Sequence, residues 1–163
     1  MATLTDSGRA ALASSLLDEN LFVGLGAGLE IWDNPETFEA ETRAVSDITN
    51  ALCFIKINDK QFVKESETGS IILPQGRFEI SHSPTPNLYL KAALNFTEMP
   101  TAIIREVAVF KDTELAESVL PGKTFYTTAD VTNNGQLIFI DRQTTPINRS
   151  AGRRETFEFV ITL

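Results

Sequence analysis

Two stretches of this chain place an apolar residue at every second position, with a mixed set between. Leu88, Leu90, Ala92, Leu94 and Phe96 interleave with Tyr89, Lys91, Ala93 and Asn95; Phe157, Phe159, Ile161 and Leu163 interleave with Thr156, Glu158, Val160 and Thr162. Successive strand residues point to opposite faces, so each stretch predicts a strand with one buried face. The opening follows a different period. Thr5 can cap a helix running to about Glu19, with Leu4, Ala11, Leu12 and Leu16 on one face, Asp6 at the favourable N-terminus and Asn20 as the stop. Phe38 to Thr49 reads as a second helix, or, broken at Ser46-Asp47, as a lead into a strand at Leu52 to Ile57.

Beyond Ile57 the pattern is all β. Gly69 to Leu73 and Arg77 to Ile80 flank Pro74-Gln75-Gly76, and Phe125 to Val131 and Leu137 to Asp141 flank Asn133-Asn134-Gly135. Both read as hairpins, the second through the positive φ that an Asn-Gly step supplies. There is no internal repeat, low-complexity tract or linker. The expected fold is α+β, an N-terminal helix packed against a mainly antiparallel sheet or sandwich, in a single domain over residues 1–163.

The stretch Ile103 to Asp112 sets an adjacent Arg105-Glu106 pair inside an apolar run. The two leave a strand on different faces, so each needs its own counter-charge or carbonyl, because an unpartnered buried charge is costly. This points to assembly or structure rather than catalysis.

These residues resemble the Arg-Glu-apolar strand in the N-terminal, baseplate-attaching domain of tail fibres from contractile-tailed phages. Thr3 to Ala13 is similar to that family's opening Thr-x-x-Gly-x-x-x-Leu-Ala helix, and Val23 to Gly28 to its Val-Gly-x-Gly turn. The connection Lys111 to Lys123 is longer than the acidic-Gly turn usual there, and no fibre shaft is expected behind Leu163. The resemblance implies a tail structural protein, and the length suits a free-standing baseplate, neck or fibre-adaptor subunit.

Composition narrows the function classes. A chain of 163 residues with 42% apolar content can bury a full core, about 70% of its unfolded surface. Its net charge of −8 argues against nucleic-acid partners, which are held mainly by neutralising phosphates. The apolar runs are too short to span a membrane, and Met1-Ala2-Thr3 does not begin a signal segment, so synthesis in the host cytoplasm is expected. The one cysteine, Cys53, lies among Leu52, Phe54 and Ile55 and reads as a buried thiol, while the one histidine, His82, reads as an exposed turn. No zinc site, catalytic residue or cofactor is expected.

Enzyme-like motifs fail on mechanics. Gly24-Leu25-Gly26-Ala27-Gly28 lacks the helix that would hold a pyrophosphate, since Asp33-Asn34-Pro35 cuts it short, and Gly122-Lys123-Thr124 runs into a strand. The carboxylates Asp33 with Glu36 and Glu39 with Glu41 read as a solvated acidic face. Trp32 beside Asp33-Asn34 suits core or interface packing, with sugar stacking as the alternative. Arg142, Arg149, Arg153 and Arg154 crowd one segment with few apolar anchors, which reads as a loop, either solvated or meeting acid on other copies or on neighbouring tail proteins. The expectation is a non-enzymatic, homo-oligomeric virion tail protein. A carbohydrate-binding module, a neck or collar subunit and a sheath initiator are the alternatives.

Overall fold

The computed structural model describes residues 2–99 and 101–163. Helix α1 (Asp6–Asp18) is followed by twelve strands: β1 (Leu21–Gly26), β2 (Ala51–Lys56), β3 (Asp59–Glu65), β4 (Ile71–Leu73), β5 (Gly76–Ile80), β6 (Asn87–Leu94), β7 (Ala102–Lys111), β8 (Glu114–Leu115), β9 (Phe125–Thr127), β10 (Val131–Asn133), β11 (Gln136–Arg149) and β12 (Glu155–Thr162). The registered strand pairs are antiparallel, and the chain adopts the expected α+β fold of one N-terminal helix on mainly antiparallel sheet.

The chain forms two compact units. One holds the described residues up to Glu19 with Ile57–Ala92 and Thr156–Leu163; the other holds Asn20–Lys56 with Ala93–Glu155.

In the first unit the strand order is β12-β6-β3-β5-β4. Val63, Phe78, Tyr89 and Val160 form its core cluster, with Ile71 and Leu73 packed against it. The Pro74-Gln75-Gly76 turn joins β4 to β5 as predicted, with Gly76 at φ 147°. Thr5 caps α1, its Oγ1 accepting from Gly8 N at 3.2 Å. The buried face of the helix differs from the expected one: Ala13 is buried, whereas Leu4, Ala11 and Leu12 are exposed. Polar bonds help anchor the helix, for Arg9 Nη1 donates to Leu163 O at 2.9 Å and Lys60 Nζ donates to the Glu19 carbonyl at the helix end.

In the second unit the strand order is β11-β7-β1-β2-β9, with β8 and β10 forming a separate ribbon. Strand alternation and register align one face into rows. Ile140, Ala108, Gly24, Phe54 and Tyr126 lie abreast across five strands, and Phe22 and Phe110 pair beside them. Phe22, Phe54, Ala108, Phe110 and Tyr126, with Ile48, form the core of that face, and Ile140 packs against it. Phe54 meets Phe110 edge-on at 5.6 Å between centroids, a favoured aromatic geometry. On the opposite face Val23, Leu25, Cys53, Ile55, Val107 and Val109 are buried too, as expected of strands that read as continuous apolar runs.

Three expectations are corrected. Phe38 to Thr49 is not a helix; the other alternative holds, and the irregular segment leads into β2 at Ala51–Lys56. The Asn134-Gly135 turn forms, with Gly135 at φ 86°, but its flanking strands part: β10 pairs with β8 and β11 pairs with β7. The arginine-bearing segment is not a loop until Ser150, because β11 continues to Arg149 past an irregularity between Arg142 and Ile147.

Candidate functional site

The charged end of the five-stranded sheet is built by register. Arg142 of β11, Glu106 of β7 and Gly26 of β1 stand abreast, one row beyond the apolar core row. Glu106 has no exposed surface. Its Oε1 accepts from Arg142 Nε at 2.9 Å, and its Oε2 accepts from Thr49 N at 2.5 Å. A buried carboxylate held by a guanidinium and a backbone amide is a satisfied one.

Gly26 is what makes room. A Cβ there would stand 2.8 Å from Glu106 Oε2 and 2.9 Å from Thr49 O, so only glycine admits the carboxylate. The neighbouring glycines act alike. A Cβ on Gly24 would meet the Phe110 ring at 2.7 Å, and one on Gly28, at φ 61°, would meet the Trp32 ring at 2.6 Å. The Gly-x-Gly-x-Gly run is therefore a set of close approaches for two rings and a carboxylate, and its first two glycines lie within β1 rather than in a turn, which corrects the turn reading.

Arg105 leaves the strand on the other side. Its Nε and Nη2 donate to the two carboxylate oxygens of Asp33 at 2.7 and 2.8 Å, and its Nη1 donates to Ala27 O at 2.8 Å. The bidentate guanidinium holds the Asp33 carboxyl below the usual range, and Asp33 in turn holds the guanidinium charged. Both pairs converge on one segment, Glu30–Asp33, a single 3₁₀ turn. Its Trp32 is 3% exposed, with the Arg142 guanidinium 4.2 Å above the ring, a cation–π contact. A ring so covered has no free face for a sugar, which corrects the stacking alternative.

Arg142 binds a third group, donating through Nη1 to Glu39 O at 2.9 Å. Arg149 is equally internal. At 2% exposure it donates to the carbonyls of Asn95 at 2.6 Å, Glu98 at 3.2 Å and Met99 at 3.3 Å, and to the Arg153 carbonyl, fastening the β6–β7 connection to the end of β11. Arg153 and Arg154 differ. They are exposed in the turn after β11, with Arg153 Nε 3.9 Å from Glu155. The four arginines therefore divide into two internal struts and two surface charges.

Asp33, Glu39 and Thr49 complete the network; the sequence reads Asp33 and Glu39 only as part of a solvated acidic face, which the Arg105 bonds to Asp33 correct, and it does not single out Thr49. Two of them act through position or backbone, Thr49 by its amide and Glu39 by its carbonyl, which side-chain identity does not encode. Asp33 carried one signal, an acid beside a lone tryptophan.

Nothing in this arrangement resembles a catalytic constellation. Cys53 is fully buried, and that burial pushes its thiol up to about 12, far from a reactive thiolate. His82 is exposed in an irregular turn. Among the described residues no group of three His, Cys, Asp or Glu side chains could hold a metal, and no helix is long and apolar enough to cross a membrane.

The fold and site define a scaffold, an antiparallel sheet whose buried charges pin irregular backbone in place. A family model described as "Baseplate wedge 3 tail fiber network component" matches residues 1–163, and the chain belongs to that family of phage baseplate and tail-fibre structural components. No curated protein matches the chain.

Proposed function

We propose that the chain is a non-enzymatic structural subunit of the phage tail, a baseplate or fibre-adaptor protein that works by protein–protein assembly. Its partners are other baseplate and tail proteins and copies of itself, in the virion tail after synthesis in the host cytoplasm. Neither nucleic acid nor membrane is a partner, and no cofactor is used. The observation that carries this reading is the whole-chain family match. The Arg105–Asp33 and Glu106–Arg142 pairs support it, since they fix the surface between β1 and β2 rather than preparing a reaction.

The surface arginines give the test. Arg153, in a long exposed contact with Glu155, and Arg154 can both meet acid on a neighbouring subunit, in a chain carrying 22 acidic residues. Such contacts add specificity and association rate, and they weaken with salt. Changing both to Ser should leave the melting temperature nearly unchanged while reducing incorporation into particles, most at low salt, where the contacts are least screened. Normal incorporation at every salt concentration returns these two residues to solvent. Absence of the tagged subunit from the baseplate in a particle map would overturn the assignment itself.

A further inference from the structure

The β6–β7 connection carries an exposed aromatic on a locked turn. Phe96 continues the apolar alternation of β6 in the sequence, yet it lies beyond the end of the strand and is 58% exposed. Asn95 to Glu98 form a tight turn, Glu98 N donating to Asn95 O at 3.2 Å. The Glu98 carboxylate closes it, accepting from Asn95 N at 2.8 Å and from Asn95 Nδ2 at 3.3 Å. Met99 follows at φ 44°, a left-handed conformation that is strained for a residue other than glycine.

The buried Arg149 guanidinium secures this turn through the Asn95, Glu98 and Met99 carbonyls. Taking a guanidinium out of water is costly. What it fixes is backbone geometry, so the Phe96 ring stands on a turn with little freedom left to lose on binding. The same guanidinium brings a second turn alongside, because its Nη1 donates to the Arg153 carbonyl. That turn offers Ser150, Ala151 and Gly152, small and exposed, and then the exposed Arg153 and Arg154. Among the described residues Phe96 makes no ring contact and Arg154 no hydrogen bond or ion pair, while Arg153 has the 3.9 Å approach to Glu155. Aromatic and arginine side chains are the ones enriched at the buried centres of interfaces.

Charge selects the occupant. Within residues 95–99 and 150–154 the exposed charges are Arg153 and Arg154, and the one carboxylate, Glu98, is turned onto Asn95. In a two-fold contact between copies this positive surface would meet itself. We propose that Phe96, as the apolar anchor, and the Arg153–Arg154 pair form one docking surface for a segment of another tail protein in which apolar residues stand among Asp or Glu. This rests on the assembly reading and deepens it, by naming an anchor and the chemistry of one partner.

The test uses Phe96→Ala, and Arg153→Glu with Arg154→Glu, each supplied together with wild-type subunit during particle assembly. Each should melt as wild type does, because these side chains are exposed, and each should enter particles about tenfold less. In particles built with a photoreactive benzoylphenylalanine in place of Thr97, the exposed neighbour of Phe96, irradiation should join that position to a segment of a different tail protein bearing Asp or Glu beside apolar residues. Normal entry of Phe96→Ala or a lowered melting temperature for that variant overturns the proposal. So do cross-links that are absent, that join a second copy or that fall on a basic segment. Each of these failures leaves the assembly reading in place, which falls when the tagged subunit is missing from the baseplate in a particle map.

Discussion

Glu106 and Asp33 are both held by an arginine, yet the consequences of losing that arginine differ. Glu106 has no exposed surface, so Arg142→Ala leaves a carboxylate that water cannot reach. Breaking a buried pair in this way typically costs ~3–5 kcal/mol. The Asp33 side chain is 44% exposed and rehydrates when Arg105 is removed. Urea unfolding should therefore rank Arg142→Ala well below Arg105→Ala in stability, and Arg142→Ala with Glu106→Gln together should recover part of the loss. Equal losses for the two arginine variants would contradict the ordering. That two charges in an apolar run need separate partners was legible in the sequence, because alternation and desolvation demand it. Which partners was not, since they come from 72 and 36 residues away in the chain.

Elements were legible wherever a local cause sets them. The Thr5 cap, the β4–β5 turn and the alternation of β6 and β12 all act within a few residues. The helical alternative for Phe38 to Thr49 failed because its backbone is fixed from outside, by Arg142 at Glu39, Asn134 at Asp47, Glu106 at Thr49 and the burial of Ile48 in the core. The parting of β10 from β11 was hidden for the same reason. Turn chemistry decides that the chain reverses, whereas the partner strand is a tertiary choice.

Two predictions belong at this scale. After β9 the chain makes a 3₁₀ turn closed by a capping box, with the Asp130 carboxylate accepting from Lys123 Nζ at 2.7 Å, Thr127 N at 2.7 Å and Thr127 Oγ1 at 2.9 Å. Lys123 first, then Thr127, lower the Asp130 carboxyl from 3.8 to about 2. A folded pKa below the unfolded one stabilises above the unfolded value and is lost as pH falls through the folded one. The stability gap between wild type and Asp130→Asn should thus be full above pH 3.8 and close near about 2; a gap that does not vary with pH sinks the attribution. The other prediction concerns β12, which buries Phe157, Phe159, Val160 and Ile161. At about 1.5–3 kcal/mol per side chain, deleting residues 156–163 should abolish cooperative unfolding. A soluble, cooperatively folding truncate would mean that the strand is dispensable to its own subunit.

At the scale of the whole molecule the chain alternates between its two units. Neither unit is contiguous: one is assembled from three segments and the other from two, and β6 and β12 each begin in one and end in the other. A unit that melted alone would leave the other's strands to be closed as long loops, and β6 would have to break after Ala92. We propose that residues 1–163 behave as one domain. Scanning calorimetry should then show a single transition whose van't Hoff and calorimetric enthalpies agree, the test of two-state behaviour. For a chain of this length the enthalpy near 60 °C should be on the order of 110 kcal/mol, at about 0.7 kcal/mol per residue. Two resolved transitions, or a van't Hoff enthalpy near half the calorimetric one, would divide the chain into independently melting bodies. Arg142→Ala discriminates further. In a single cooperative domain it lowers the melting of strands in both units together, read by hydrogen exchange at β3 and at β1, whereas independent units lose protection at β1 alone.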